Sequence, residues 1–187
     1  MKNCPLCKAS LNPILLESNL PAYNCPQCHG LWISSNEYLA WVAPHYVLSI
    51  AEVDIESTFT TPYPIADNRG AIFCPDCGRF LRRYQIWPNL AFYLDRCSHC
   101  QGIWFDANEW QTLEAQQLHN KINIFFTEVW QQKLRSEEMK CRFANMYLEK
   151  FGADDYRRIG QIRAWLQSHA QGYSLLAYLT DPDPYRG

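Results

Sequence analysis

The chain has 187 residues, a formal net charge of −2 and 9 cysteines. An odd cysteine count, with the first pair beginning at Cys4 where a secretory leader would lie, argues against export and against a disulfide framework. No run of 18 apolar residues exists, so we expect a cytoplasmic protein without a membrane span.

The chain contains an internal repeat built around cysteine pairs. Residues 25–37 read CPQCHGLWISSNE, and residues 97–109 read CSHCQGIWFDANE. An earlier Cys-x-x-Cys pair precedes each copy, separated from it by 17 and 19 residues. Two close pairs at this separation are typical of a structural zinc site. The predicted metal ligands are Cys4, Cys7, Cys25 and Cys28 in the first copy, and Cys74, Cys77, Cys97 and Cys100 in the second.

The predicted fold class is α+β, composed of small zinc-stabilised modules. Two tandem zinc ribbons, each a short antiparallel β-hairpin followed by a capped helix, precede an α-helical C-terminal module. Neither ribbon is large enough to fold alone, and a structural Zn²⁺ supplies about 10–16 kcal/mol in comparable peptides. The predicted boundaries are 1–44 for the first ribbon, 45–70 for a linker, 71–120 for the second ribbon and 121–187 for the helical module.

Within each ribbon the residues after the last cysteine carry further predictions. Gly30 and Gly102 lie where a metal-binding turn commonly needs a positive φ. Trp32 and Trp104 follow at the same offset, and we expect each ring to pack on its own ribbon as core, although a recognition surface is the alternative. Each copy then starts a helix with a cap residue three positions before Glu37 or Glu109, and capping explains these glutamates better than acid/base catalysis does.

The segment between the ribbons reads as a linker with an edge strand. Residues 52–56 alternate polar and apolar side chains, and the two prolines in residues 60–64 exclude a long helix. An acidic strap that meets a basic partner surface is the alternative.

The second ribbon is predicted to have longer strands, Phe80 to Ile86 and Leu90 to Arg96, and carries the basic patch of the zinc-bearing half. This patch is Arg79, Arg82, Arg83 and Arg96. It is interpreted either as a phosphate-backbone contact or as a solvated strand face paired with Asp76 and Asp95.

The last third of the chain has helical periodicity. One apolar stripe runs from Ile122 to Leu134 and another from Met139 to Phe151, and further helical segments follow Gly152. A helical module this short is not expected to bury all of its aromatic side chains by itself, so we expect it to pack on the ribbons or on another chain. Cys141 on the long helix is expected to be a buried apolar thiol.

Four thiols per ribbon admit three chemistries. Zn²⁺ is preferred, at two ions per chain, because a closed four-thiolate site needs no redox chemistry. An iron site of the rubredoxin type uses the same turns, and dithiol redox catalysis lacks its usual βαβ setting. His29, His45 and His99 are not expected to be ligands because four cysteines already complete each site.

The two segments Cys4 to Tyr38 and Cys74 to Trp110 resemble the bacterial zinc-ribbon family named for transcription factor IIB. The resemblance rests on Cys-Pro-x-Cys, a hairpin, Cys-Pro-x-Cys-x-Gly-x-Trp and a capped Glu helix, and it implies a zinc-ribbon fold with the eight cysteines as ligands. Ser98, Asn36, Asn108 and Ser34 depart from the family pattern, and none of them is a ligand position.

The charge balance bears on the partners. Eight thiolates carry eight negative charges and two Zn²⁺ return four positive ones, so the metal-loaded chain has a net charge of about −6. Residues 1–115 hold 7 Lys and Arg against 11 Asp and Glu, which does not favour nucleic acid as a partner. We therefore expect a non-enzymatic adaptor with a protein partner, no catalytic residues and no small-molecule substrate. A transcription-associated protein that contacts RNA polymerase or nucleic acid is the first alternative, and a thiol oxidoreductase or metallochaperone is the second.

Overall fold

The computed structural model describes residues 2–45, 53–55, 59–65 and 70–186. The first ribbon contains β1 (Asn12–Leu15), β2 (Pro21–Asn24), β3 (Leu31–Ile33) and α1 (Ser35–Val42). The second contains β4 (Leu81–Gln85), β5 (Tyr93–Cys97), β6 (Ile103–Phe105) and α2 (Glu109–Ala115). After them come α3 (Ile122–Phe125), α4 (Glu128–Phe151), α5 (Ala153–Ser168) and α6 (Gly172–Thr180). The predicted α+β class is confirmed.

The chain divides into two compact units, Met1–Glu138 and Met139–Gly187. The first unit holds both ribbons, α3 and the beginning of α4. The second holds the rest of α4 together with α5 and α6. In the described part of the chain, no helix is long and apolar enough to cross a membrane.

The two ribbons share one antiparallel sheet. Its strand order is β1-β2-β3-β6-β5-β4, so the ribbons meet where β3 pairs with β6. Trp32 lies opposite Trp104 at the centre of this pairing, and the flanking pairs are Leu31 with Phe105 and Ile33 with Ile103. The repeat spacing is 72 residues, so Ile103 and Phe105 are the equivalents of Leu31 and Ile33. The pairing of β3 with β6 is therefore unchanged when the two ribbons are interchanged. The chain thus has an approximate internal twofold axis through the two tryptophans.

The sheet buries different residues on its two faces, as the alternation of side chains along a strand requires. On one face, Leu31, Ile33, Ile103 and Phe105 join a core that the helices cover. On the opposite face, Trp32 and Trp104 join a second buried cluster that contains the first cysteine of each Cys-x-x-Cys pair and three aliphatic residues. The buried members of this second cluster are Cys4, Leu11, Cys25, Trp32, Ile72, Cys74, Leu81, Cys97 and Trp104.

Between the ribbons, the described residues 53–55 and 59–65 pack partly on the core of the ribbon unit. Val53 and Ile55 are buried in the helix-side core, and the Phe59 ring stacks on Trp87 with 4.7 Å between centroids. The side chain of Asn108 donates to the Pro64 carbonyl over 2.8 Å. The predicted edge strand does not form at residues 53–55 or 59–65, and the charged residues Glu52 and Glu56 lie outside the described ranges.

Helix α4 starts in the first unit and continues into the second. Trp130 and Leu134 are buried, and the Trp130 Nε1–H donates to the Ile86 carbonyl over 3.2 Å. The helical pattern predicted from Ile122 to Leu134 is divided between α3 and α4, and at the break the Thr127 hydroxyl donates to the Ile124 carbonyl over 2.7 Å. This first stretch of α4 therefore belongs to the core of the ribbon unit.

The second unit has an exposed apolar surface. Neither α5 nor α6 contains a buried residue, and the tyrosine at position 173 is 94% exposed. The exposed large apolar side chains of this unit are Met139, Phe143, Met146, Tyr147, Leu148, Phe151, Ile159, Ile162, Trp165, Tyr173, Leu176, Tyr178, Leu179 and Tyr185. Cys141 is exposed as well, so the prediction of a buried thiol was wrong: it assumed that the apolar stripe of this helix is covered within the chain.

Candidate metal centres

The eight predicted ligands come together in two groups of four. The groups are Cys4, Cys7, Cys25 and Cys28, and Cys74, Cys77, Cys97 and Cys100, with all Sγ atoms of a group within 4.8 Å of one another. All eight are free thiols, and the closest sulfur pairs are 3.3–3.5 Å apart. A tetrahedral ion with bonds of about 2.3 Å to sulfur places its ligands about 3.8 Å apart. Each group therefore fits one Zn²⁺, which gives two zinc sites per chain.

Backbone N–H groups point at the sulfurs in each turn. Leu6 N–H donates to Cys4 Sγ over 3.4 Å, Asp76 N–H to Cys74 Sγ over 3.4 Å, and His99 N–H to Cys97 Sγ over 3.4 Å. These donors stabilise thiolate charge, which a metal-bound sulfur carries. When bound, Zn²⁺ would be held by the four cysteines of a group and would crosslink the two Cys-x-x-Cys turns of each ribbon.

Burial and hydrogen bonding shift the pKa values of the thiols within one site in opposite directions. Burial raises the pKa of Cys4 to about 11. Burial acts in the same direction on Cys25, but the N–H donors of Cys28 and Gln27 and the Cys7 thiol outweigh it and lower the pKa to about 7. Cys97 in the second site behaves as Cys25 does, with a pKa lowered to about 7 by the corresponding donors against the effect of burial. In both sites the first cysteine of the second pair, Cys25 or Cys97, is therefore a thiol with a lowered pKa.

The left-handed residue of each turn is not the glycine that the sequence suggested. In all four turns it directly follows the second cysteine, at Lys8, His29, Gly78 and Gln101, with φ between 59° and 70°. Among the described glycines, positive φ occurs at Gly78 and Gly152 alone. The prediction of a positive φ at Gly30 and Gly102 was therefore wrong, because His29 and Gln101 adopt the left-handed conformation in these turns.

Gly30 and Gly102 are instead sites of close approach between the ribbons. A Cβ on Gly30 would lie 2.2 Å from Trp104 Cζ2, and one on Gly102 would lie 2.3 Å from Trp32 Cζ2. Both indoles are fully buried, as predicted, but each ring lies over the opposite ribbon instead of only its own. The difference arises because β3 pairs with β6, which turns each tryptophan toward its neighbour's glycine.

Polar contacts fix these indoles in place. Trp32 Nε1–H donates to Asp76 Oδ2 of the second ribbon over 3.1 Å, and Asp76 also forms an ion pair with Lys2 at 2.5 Å. Trp104 Nε1–H donates to Asp106 Oδ1 over 2.8 Å. The role of Asp76 was not predicted, and the lack of an equivalent carboxylate in the first ribbon, where Leu6 stands, gives the sequence no periodic signal for it.

The two helix starts differ in their capping. Glu109 is buried and its Oε2 accepts from the Asp106 N–H over 2.7 Å, which confirms the bond predicted from this glutamate back to the cap residue. Helix α2 itself begins at Glu109, and its N-cap Asn108 makes no side-chain cap hydrogen bond. In the first ribbon the predicted cap was wrong, because Ser34 makes no side-chain cap hydrogen bond and Glu37 is exposed. Burial, followed by the nearby Asp106 carboxylate, raises the pKa of Glu109 well above its usual value, although the Asp106 N–H opposes this. Burial thus favours the protonated form of Glu109 at its site.

The arginines of the second ribbon are held mainly against aromatic rings. The guanidinium of Arg82 lies 5.0 Å from the centroid of Tyr84, and that of Arg96 lies 4.6 Å from the centroid of Phe126. Arg83 lies 4.1 Å from the Tyr93 ring and opposite Asp95 in the β4–β5 register. The predicted pairing with Asp76 was wrong, since this carboxylate binds Lys2 and Trp32.

Histidines do not join the thiol groups. In the described part of the chain, both metal-binding groups consist of cysteines alone. His29 supplies a left-handed turn residue, and His99 donates its backbone N–H to sulfur. The side chain of His45 lies outside the description.

Comparison with known proteins agrees with this geometry. Residues 3–44 and 73–116 match the model of a family described as transcription factor zinc-finger. No curated protein and no solved structure matches the chain. The matched segments end before α3, so the match does not extend to the C-terminal helices.

Proposed function

We propose that the protein is a non-enzymatic, zinc-binding adaptor or regulator, since residues 3–44 and 73–116 match the transcription factor zinc-finger family and each holds one four-cysteine site. It docks on a larger protein assembly through its zinc ribbons and its C-terminal helices. Closed four-thiolate sites support this proposal, since they leave no coordination position for substrate or water. The zinc ions then act as structural crosslinks.

The observation that carries the proposal is the exposed apolar surface of the second unit. Its helices present Ile159, Ile162 and Trp165 at about half exposure, and α6 presents Leu176 and Leu179 in the same way. Many large apolar side chains left exposed on one folded unit mark an interaction site or an aggregation liability. Aromatic and methionine side chains, which this unit has in abundance, are enriched at the centres of protein interfaces.

The test is affinity capture from cells of the source organism after in vivo cross-linking. We expect one discrete protein partner at fixed stoichiometry, and we expect Ile162→Ser together with Leu176→Ser to abolish its recovery. Gln161→Ser, a polar change on the same helix α5, serves as the control and should leave recovery unchanged. A strict monomer without a cross-linked partner, or a partner recovered equally with the double variant, would contradict the proposal.

The family match favours a second candidate, a transcription-associated protein that contacts RNA polymerase or nucleic acid. In this case the arginines of the second ribbon would be contacts, and affinity for DNA or RNA would fall steeply with salt. Binding assays with purified polymerase and with oligonucleotides at two salt concentrations separate this function from the first. A thiol oxidoreductase or metallochaperone would require labile metal, which metal analysis combined with thiol titration detects.

A further inference from the structure

The two ribbons differ at one surface that the fold itself does not explain. Next to its first cysteine turn, the first ribbon pairs Asn3 with Ser10, and the second ribbon pairs Phe73 with Phe80 at the equivalent position. The phenylalanines are 52% and 53% exposed and their rings meet edge to face at 6.3 Å. Since the first ribbon forms the same turn with two polar residues, the phenylalanines are not needed for the turn or its metal site.

The next cross-strand pair on the same face differs in the same way. In the first ribbon, Asn12 lies opposite Asn24, and in the second ribbon Arg82 lies opposite Arg96. Like charges directly opposite each other destabilise an antiparallel pair. The arginine pair therefore destabilises the second ribbon locally, whereas the neutral asparagine pair of the first ribbon has no such repulsion.

Neither Arg82 nor Arg96 forms an ion pair with a carboxylate in the part of the chain that the structure describes. Arg82 is exposed and is placed over the ring of Tyr84. Arg96 is partly buried over Phe126, and its Nε is buried without a hydrogen-bond partner among the residues that the structure describes. Guanidinium groups held on aromatic rings keep their outward N–H donors available for a carboxylate or phosphate.

Together these residues form a patch, here called the Phe-Arg patch, which comprises Phe73, Phe80, Arg82 and Arg96. Because residues 80 and 82 are two positions apart on one extended segment, the apolar pair and the cationic pair lie about 7 Å apart on one face. The exposed Arg79 lies within the adjacent turn. The patch thus offers an apolar anchor site beside two or three positive charges.

The charge around the patch limits the size of its occupant. The ribbon unit, residues 1–138, has 10 Lys and Arg against 14 Asp and Glu, and the two thiolate sites add about four negative charges when zinc is bound. A long polyanion would be repelled once it extended beyond the patch. A short segment with a few carboxylates can use the local positive charge without meeting the acidic remainder.

From this we propose that the Phe-Arg patch binds a short acidic peptide segment of a partner protein, with Asp or Glu side chains on Arg82 and Arg96 and an aromatic or aliphatic side chain on Phe73 and Phe80. The proposal deepens the adaptor function and rests on it. Aromatic and arginine side chains are the residues that most often dominate interface energetics. The patch therefore assigns one docking site of the adaptor to the second ribbon.

The test is selection of a displayed library of random dodecapeptides on the full-length, zinc-loaded protein. We expect enrichment of peptides that combine two or more Asp or Glu with Phe, Trp or Leu. A selected peptide should bind at least tenfold more weakly to Phe73→Asn/Phe80→Ser/Arg82→Asn, which carries the residues of the first ribbon at these positions. Arg135→Asn removes an exposed arginine of the same unit outside the patch and should bind the peptide normally.

Zinc content of the triple variant shows that the second ribbon still folds. No enrichment, enrichment of basic peptides, or equal binding to the triple variant would overturn the proposal. Patch-dependent binding of single-stranded oligo(dT) that displaces the selected peptides would also overturn it and would assign the patch to nucleic acid. Failure here leaves the capture experiment on the C-terminal helices untouched, so the two proposals fail separately.

Discussion

The indole of Trp32 lies over Gly102, 72 residues after the glycine of its own ribbon, and Trp104 lies over Gly30 in the reciprocal arrangement. Each ribbon therefore completes the buried surface of the other. The metal sites stabilise the turns, and the tryptophan–glycine contacts with the β3–β6 pairing join the two halves into one sheet.

Gly102→Ala tests this contact. The added methyl group would overlap Trp32, and overpacking of this kind costs about 1–3 kcal/mol or more. We expect a lower free energy of unfolding in urea and a shifted Trp32 fluorescence, with two zinc ions still bound. Gly160→Ala on α5, where a Cβ meets nothing within 4 Å, is the control and should not destabilise. An unchanged unfolding midpoint for Gly102→Ala would show that the ribbons are not packed in this way.

At the left-handed turn positions, two substitutions are predicted to change the free energy of unfolding in opposite directions. Gln101 adopts φ 63° and Gly78 adopts φ 70° at equivalent places. A non-glycine residue in this region costs about 1–2 kcal/mol, so Gln101→Gly should raise the free energy of unfolding and Gly78→Ala should lower it. Denaturant unfolding of the zinc-loaded variants measures both. Two changes of the same sign would be inconsistent with a shared turn geometry.

Tyr38 links the first ribbon to the segment that precedes α3. Its hydroxyl donates to the His119 carbonyl over 2.9 Å and accepts from the Ile122 N–H over 3.1 Å. Tyr38→Phe would leave this buried N–H without its acceptor, at a cost of about 1–3 kcal/mol. Tyr178→Phe, which removes an exposed hydroxyl contact with Tyr185, should cost far less. Equal effects of the two variants in thermal or urea unfolding would contradict the assignment.

The raised pKa of Glu109 predicts a pH-dependent contribution to stability. Burial and the Asp106 charge keep a proton on Glu109 in the folded state at pH values where the unfolded chain has lost it. Its contribution is therefore fully present below the unfolded value of 4.5 and is lost as pH rises through the higher folded pKa. Glu109→Gln keeps an acceptor for the Asp106 N–H and does not titrate.

The measurement is the difference in free energy of unfolding between Glu109→Gln and the wild type at several pH values. We expect this difference to grow in favour of the glutamine variant as pH rises from about 5.5 to about 8. A single titrating group can change the free energy of unfolding by at most about 1.36 kcal/mol per pH unit. Comparison at each pH removes the separate effect of pH on zinc binding. A difference that does not change with pH would show that Glu109 titrates normally.

The sequence predicts the metal sites well because their ligands are local: two Cys-x-x-Cys turns, each only four residues long, define a site once a hairpin joins them. It also predicts that Trp32 and Trp104 are buried. It does not predict their partners, because a repeated ribbon can remain separate or pair with its neighbour, and only the pairing of β3 with β6 across 72 residues decides this.

The C-terminal helices show the opposite limit. Their periodicity predicts helices correctly, but the same apolar stripe describes a helix that packs within the chain and one that awaits a partner. Trp130 belongs to the first kind and is buried, whereas Phe143, on the same helix α4, is half exposed. Cys141 was wrongly predicted to be buried for the same reason, since it lies on the part of α4 whose apolar side chains are exposed.

Each ribbon depends on its own zinc ion for its fold, and only two folded ribbons can pair β3 with β6 into a single six-stranded sheet. Hydrogen exchange of the amides in β3 and β6, measured before and after chelation of the metal, tests it most directly. We expect protection in both strands with two zinc ions bound, and its loss from both strands together when the metal is removed. Persistent protection in metal-free protein whose eight cysteines are reduced would contradict the claim.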